Sequence, residues 1–225
     1  MSNRRFIYVL LALFLLSTAC TSLSLSKPAS VFAQDEEVPE PAMIGGSGVT
    51  SWILKGNKIY YLKWDREFEQ AQIYGPQEIG GEDIKEVLLL QSTGDFAWIL
   101  RGDDVYFVAA KREGTFVRLE VERPEELRDS EGSEPVMMAG GGSRAWVLKG
   151  DSLFFLKWDP TYGSVQVYGP EDLPPHTYGP SEPVLMHGTG SSVWVLRGNE
   201  VFYVIARVDG TYVDIEIERP EDLPE

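Results

Sequence analysis

Beyond residue 40 the apolar side chains fall in short runs and strict alternations, not in the three-and-four spacing of an amphipathic helix. Val201-Phe-Tyr-Val-Ile-Ala206 is continuously apolar, which predicts a strand covered on both faces. Phe116-Val-Arg-Leu-Glu-Val-Glu122 and Tyr212-Val-Asp-Ile-Glu-Ile-Glu218 alternate apolar with charged, as half-exposed strands do. Their carboxylates discourage pairing with another molecule. Two more strand signals precede these. One is an apolar run such as Val136-Met-Met-Ala139 or Val184-Leu-Met-His187, followed by a turn with Gly at Gly48, Gly94, Gly142 or Gly190. The other carries a Trp and ends at Gly56-Asn57, Gly102-Asp103, Gly150-Asp151 or Gly198-Asn199. These are two-residue loops suited to type II′ hairpins, because Gly tolerates positive φ at the first turn position.

The four signals recur as a unit. Trp52-Ile-Leu-Lys-Gly, Trp98-Ile-Leu-Arg-Gly, Trp146-Val-Leu-Lys-Gly and Trp194-Val-Leu-Arg-Gly are spaced by 46, 48 and 48 residues. A fixed period of this size marks solenoids, propellers or arrays. The first and third units share Lys-Trp-Asp at 63–65 and 157–159 and Tyr-Gly-Pro at 74–76 and 168–170. The second and fourth share Gly-Thr-aromatic-Val at 114–117 and 210–213. The order A-B-A-B points to duplication of a pair.

Buried strands first and a charged edge last describe an antiparallel sheet whose inside comes early in sequence. In period, strand count and burial gradient residues 40–225 resemble β-propellers. The fold class expected is all-β: four four-stranded antiparallel repeats in a small four-bladed propeller. A homodimer completing an eight-bladed ring or a longer array, and two eight-stranded barrels or sandwiches built from one A-B pair each, are the alternatives. The Gly-His…Trp-Asp pair of WD40 repeats is absent. The four-bladed ring resembles hemopexin in blade number, with no aligned motif to carry over its ligands. The units span about residues 41–85, 86–133, 134–181 and 182–225.

Arg4 and Arg5 precede the apolar run Phe6 to Leu16, the positive and hydrophobic regions of an export signal. Ser17-Thr-Ala-Cys20 resembles a bacterial lipobox, with Ser17 where Leu is usual; this makes Cys20 the lipidation candidate. Val31-Phe-Ala33 before Gln34 is an ordinary secretory cleavage site. An uncleaved anchor is a third reading, since residues 6–25 almost span a bilayer. The signal is thus 1–33, or 1–19 if Cys20 is lipidated, and a flexible tether covers 20–40. All three readings put the remainder outside the cytoplasm.

Charge then excludes one partner class. The chain has 35 acidic against 20 basic residues, a net charge of −15, and cleavage after Ala33 leaves it near −18 by removing Arg4, Arg5 and Lys27. Nucleic-acid binding, which rests on Lys and Arg neutralising phosphates, is not expected. Hydrophobic content of 43% argues against disorder, and one Cys cannot form an internal disulfide.

Candidate chemistry is sparse. The two His, His176 and His187, form no zinc-binding spacing, and no cofactor or metal is expected. His187 ends a first strand and is a candidate for the central channel. Every Trp strand ends in a base, Lys55, Arg101, Lys149 or Arg197, and every unit ends in an acid two residues after Pro: Glu78, Glu126, Asp172 and Asp222. Ion pairs between them are the structural reading; a basic ring holding an anion is the functional one. Trp64, Trp158, Tyr162, Tyr168 and Tyr178 lie near strand ends or in Gly/Pro loops, where aromatics anchor protein partners or stack on sugars. The expectation is a non-enzymatic, extracytoplasmic, membrane-anchored binding or scaffold module, with a protein partner or as an accessory subunit of an envelope complex. The alternative is a lectin-like glycan-binding propeller.

Overall fold

Glycine at the head of each tight turn sets the local structure. The computed structural model describes residues 42–80, 87–128, 136–175, 184–198 and 200–220. The export signal, the tether and Cys20 lie outside these residues. Gly56, Gly102, Gly150 and Gly198 have φ between 56° and 59°, and Glu69 is the only non-glycine with positive φ among the described residues. At Gly56-Asn57, Gly102-Asp103 and Gly150-Asp151 the left-handed Gly is followed by an ordinary second residue, the type II′ hairpin expected from the sequence.

The described residues form sixteen strands. The first blade holds β1 (Ala42–Ser47), β2 (Thr50–Lys55), β3 (Lys58–Asp65) and β4 (Gln70–Glu78); the second β5 (Val87–Thr93), β6 (Phe96–Arg101), β7 (Asp104–Glu113) and β8 (Phe116–Glu122). A single helical turn, α1 (Glu125–Arg128), follows β8. The third blade holds β9 (Val136–Gly141), β10 (Arg144–Lys149), β11 (Ser152–Asp159) and β12 (Ser164–Asp172); the fourth β13 (Val184–Thr189), β14 (Ser192–Arg197), β15 (Glu200–Asp209) and β16 (Tyr212–Glu218). Each blade is one antiparallel sheet with its strands in chain order, a four-bladed propeller-like fold.

Within every blade the repeated Trp faces an aromatic residue or its equivalent on the third strand: Trp52 opposite Tyr61, Trp98 opposite Phe107, Trp146 opposite Phe155 and Trp194 opposite Tyr203. Ring centroids lie 4.7 to 4.9 Å apart in all four pairs, tilted as aromatic quadrupoles prefer. The blades then stack by their inner strands, β1 on β5, β5 on β9 and β9 on β13. A separate apolar core fills each junction, around Trp52 and Tyr106 between blades one and two, Trp98 and Trp158 between two and three, and Trp146 and Phe202 between three and four. The middle core joins the two A-B pairs, so they are not two independent barrels or sandwiches.

Junctions are fastened by side chains reaching the next blade. Trp52 Nε1 donates to Gly94 O at 3.1 Å and Trp98 Nε1 to Gly142 O at 3.0 Å, both carbonyls in the next blade's first turn. Tyr61 Oη donates to Asp95 Oδ1 at 2.5 Å; burial and the neighbouring carboxylate push the phenol pKa well up.

The expected double cover of the third strand holds in the two middle blades only. Val105–Ala110 of β7 and Leu153–Leu156 of β11 are buried without a break. Residues 201–206 of β15, equally apolar, alternate buried and half-buried, because one face of the fourth blade has no neighbour among the described residues.

Candidate functional site

Turn chemistry sorts the predicted residues onto two faces. In a four-stranded meander the first and third hairpins share one end, and the second hairpin lies at the other. The bases end the second strand and sit at the second-hairpin end. Arg101, buried, donates from Nη1 to Ile79 O at 2.8 Å, and Lys149, also buried, from Nζ to Leu127 O at 2.9 Å. Each base therefore reaches back to the carbonyl one residue past the acid that ends the preceding unit. Arg197 pairs with Asp151 at 2.5 Å, and Lys55 is exposed. Two of the four charges, Arg101 and Lys149, are thus directed at backbone carbonyls that link blades. Asp172 accepts from Ser152 Oγ at 2.6 Å, and Asp222 lies outside the described residues.

The other face carries the third hairpins and the aromatics. Trp64 and Trp158 hold the same motif position yet differ: Trp64 is 46% exposed and Trp158 5%. Trp158 stacks on Phe107 of the second blade, centroids 4.8 Å apart, and Lys111 Nζ lies 5.3 Å from its ring. The Asp of Lys-Trp-Asp has a turn-forming role. Asp65 Oδ1 accepts from Glu67 N at 2.9 Å and Asp159 Oδ1 from Thr161 N at 2.8 Å, closing four-residue turns found only in A units. The Thr161 N–H holds the Asp159 carboxyl below its ordinary pKa. B units close the same hairpin with Gly114-Thr115 and Gly210-Thr211 and need no such Asp.

Tyr162 is exposed in the turn of the third blade, while Tyr168 is half-buried against Phe155 at 6.1 Å. His187 is exposed on β13, opposite Trp194 in register, and Tyr178 and His176 lie outside the described residues. Phe68, Phe116 and Tyr212 were not singled out by sequence and are 63%, 75% and 67% exposed. With Tyr162 they place one bare aromatic at the third hairpin of every blade. The sequence signal was present: an aromatic inside the turn at Phe68 and Tyr162 or directly after it at Phe116 and Tyr212.

A cleft of about 630 Å³ opens between the outer strands of blades one to three, floored by Phe107 and Trp158 and walled by Glu120, Glu122 and Gln77. Glu120 pairs with Lys111 at 2.5 Å. Glu122 Oε1 accepts from Val165 N of the third blade at 2.6 Å, and burial raises its carboxyl pKa against that hydrogen bond. Glu120 is thus paired within the second blade, while Glu122 staples the second blade to the third. Among the described residues no group of three or more His, Cys, Asp or Glu is arranged to hold a metal ion, and no helix is long and apolar enough to cross a membrane.

No protein-family model matches the chain, and no curated protein does. Among solved structures it is similar to a crystal structure of a protein from Lactobacillus plantarum, with 14% identity and a TM-score of 0.49 over 81% of this chain and 57% of that one. The chain therefore spans little more than half the length of that neighbour.

Proposed function

We propose that the protein is a non-enzymatic binding module, exported and held at a membrane by its N-terminal segment, that grips a protein partner with the third-hairpin face of its blades. The observation that carries this reading is the exposed aromatic on each blade: Phe68, Phe116, Tyr162 and Tyr212. Four large apolar groups on rigid hairpin tips lose little conformational entropy on binding and supply the anchors that dominate interface energies. Net charge of −15 favours a partner with a basic rim. The Arg4–Leu16 segment, with Cys20 after it, supports export and anchoring.

The test is recovery of the chain from its native membranes with a fixed partner. Replacing Phe68, Phe116, Tyr162 and Tyr212 by Ser is expected to abolish co-purification while the circular dichroism spectrum stays unchanged. A specific signal on a glycan array, lost in Trp64→Ala, would replace the protein partner by a sugar.

A further inference from the structure

The A-B-A-B order makes two kinds of junction. Blades one to two and three to four are A-to-B contacts; the contact between blades two and three is the B-to-A junction among the described residues. The fourth blade is a B unit with a bare outer face, and the first is an A unit with a bare outer face. We infer that a second copy of this chain supplies the missing neighbour: the fourth blade of each molecule docks on the first blade of the other, and two chains close an eight-bladed ring.

In the B-to-A junction Trp98 reaches Gly142 O, Phe107 stacks under Trp158, and Lys111 lies over the Trp158 ring. The repeat puts Trp194, Tyr203 and Arg207 in the places of Trp98, Phe107 and Lys111, and Gly48 and Trp64 in those of Gly142 and Trp158. Every group needed to build that junction again is present, half at each end of the chain. Both halves are uncovered: Trp194 is 48% exposed where Trp98 is 0%, and Trp64 is 46% exposed where Trp158 is 5%.

The inner strands match in the same way. Gln91 of β5 bridges to β9, donating from Nε2 to Met138 O at 3.4 Å and accepting from Gly140 N. Its counterpart on β13 is His187, which has a ring nitrogen for each role and faces outward beside Trp194. Met138 corresponds to Ile44, 73% exposed on β1. The apolar content of β15 is explained as well: residues 201–206 are hydrophobic on the face that blade four leaves bare because a partner covers it.

The contact is heterologous, with different surfaces on the two molecules, and a two-fold axis through the ring centre repeats it twice without loose ends. Eight blades lie within the range that propellers adopt. Each junction also builds a further copy of the cleft above Phe107 and Trp158, between Tyr203 of one molecule and Trp64 of the other, and these further copies are incomplete in a single chain.

The test uses the full chain, extracted in mild detergent, with its mass in solution read by light scattering and native mass spectrometry. Twice the monomer mass is expected. Trp64→Ala and Trp194→Ala are each expected to raise the dimer dissociation constant on the order of thirtyfold, as loss of a central aromatic anchor does, with circular dichroism unchanged. An equimolar mixture of the two variants retains one intact Trp194–Trp64 junction and is expected to recover heterodimer that neither forms alone. A wild-type monomer, an open ladder of higher oligomers, or a dimer indifferent to both substitutions would overturn the proposal.

Discussion

The ring of Trp158 lies on that of Phe107, 27° from parallel, across the junction of the second and third blades. Trp64 occupies the same motif position in the first blade, where no described element covers it. Deleting each ring from the isolated chain should therefore give unequal losses. Trp158→Ala removes a buried side chain and opens a cavity, and is expected to cost about 3–5 kcal/mol. Trp64→Ala is expected to change the stability of the monomer by about 0.5 kcal/mol or less. Urea denaturation at concentrations low enough to keep both variants monomeric checks the contrast.

The repeated bases should divide in the same manner. Arg101→Met leaves the Ile79 carbonyl without its buried donor, and the penalty for an unsatisfied group of this kind is about 1–3 kcal/mol. Lys55→Met, at the corresponding but exposed position, is expected to stay within about 0.5 kcal/mol of the parent. Equal losses at both positions in chemical denaturation would show that Lys55 also holds a blade end.

Strands and hairpins were legible because their causes are local. Gly102 and Gly150 specify their turns wherever the sheet sits, and the Trp spacing fixes the unit. The burial of individual aromatics was not legible, since Trp64 and Trp158 share the Lys-Trp-Asp context and differ only in whether a blade precedes them. The same holds for Val201–Ala206, apolar on both faces but half-buried on the one that no described element covers. The Lys-Trp-Asp motif itself was readable as a turn signal. Its restriction to A units follows turn length, four residues after Asp65 and Asp159 against two after Glu113 and Asp209.

One turn carries removable strain. Glu69 has φ of 49°, and the equivalent residue of the third blade is Gly163 with φ of 65°. A left-handed conformation costs a residue with a Cβ about 1–2 kcal/mol, of which Gly returns part as extra freedom in the unfolded chain. Glu69→Gly is expected to stabilise the protein by about 0.5–1 kcal/mol, read as a higher urea midpoint at unchanged slope. Gly163→Glu is expected to do the reverse.

Glu122 predicts a pH dependence of definite sign. Burial raises its carboxyl pKa, Glu126 and Glu120 add to the shift, and the Val165 N–H opposes it. Oε2 has no hydrogen-bond partner among the described residues. A carboxyl with a folded-state pKa above its unfolded value favours folding when protonated. Its contribution is most favourable below the unfolded value, about pH 4, and is lost as pH rises through the raised folded-state value. Glu122→Gln keeps an oxygen for Val165 N and carries no charge to desolvate. The substitution is expected to raise the melting temperature at pH 7 and to lose that gain as pH falls toward 4, as thermal melts of both proteins across this range can test. A gain that instead persists at pH 4 would trace the effect to packing, and a loss at pH 7 would show that the ionised carboxylate is the form that holds the third blade.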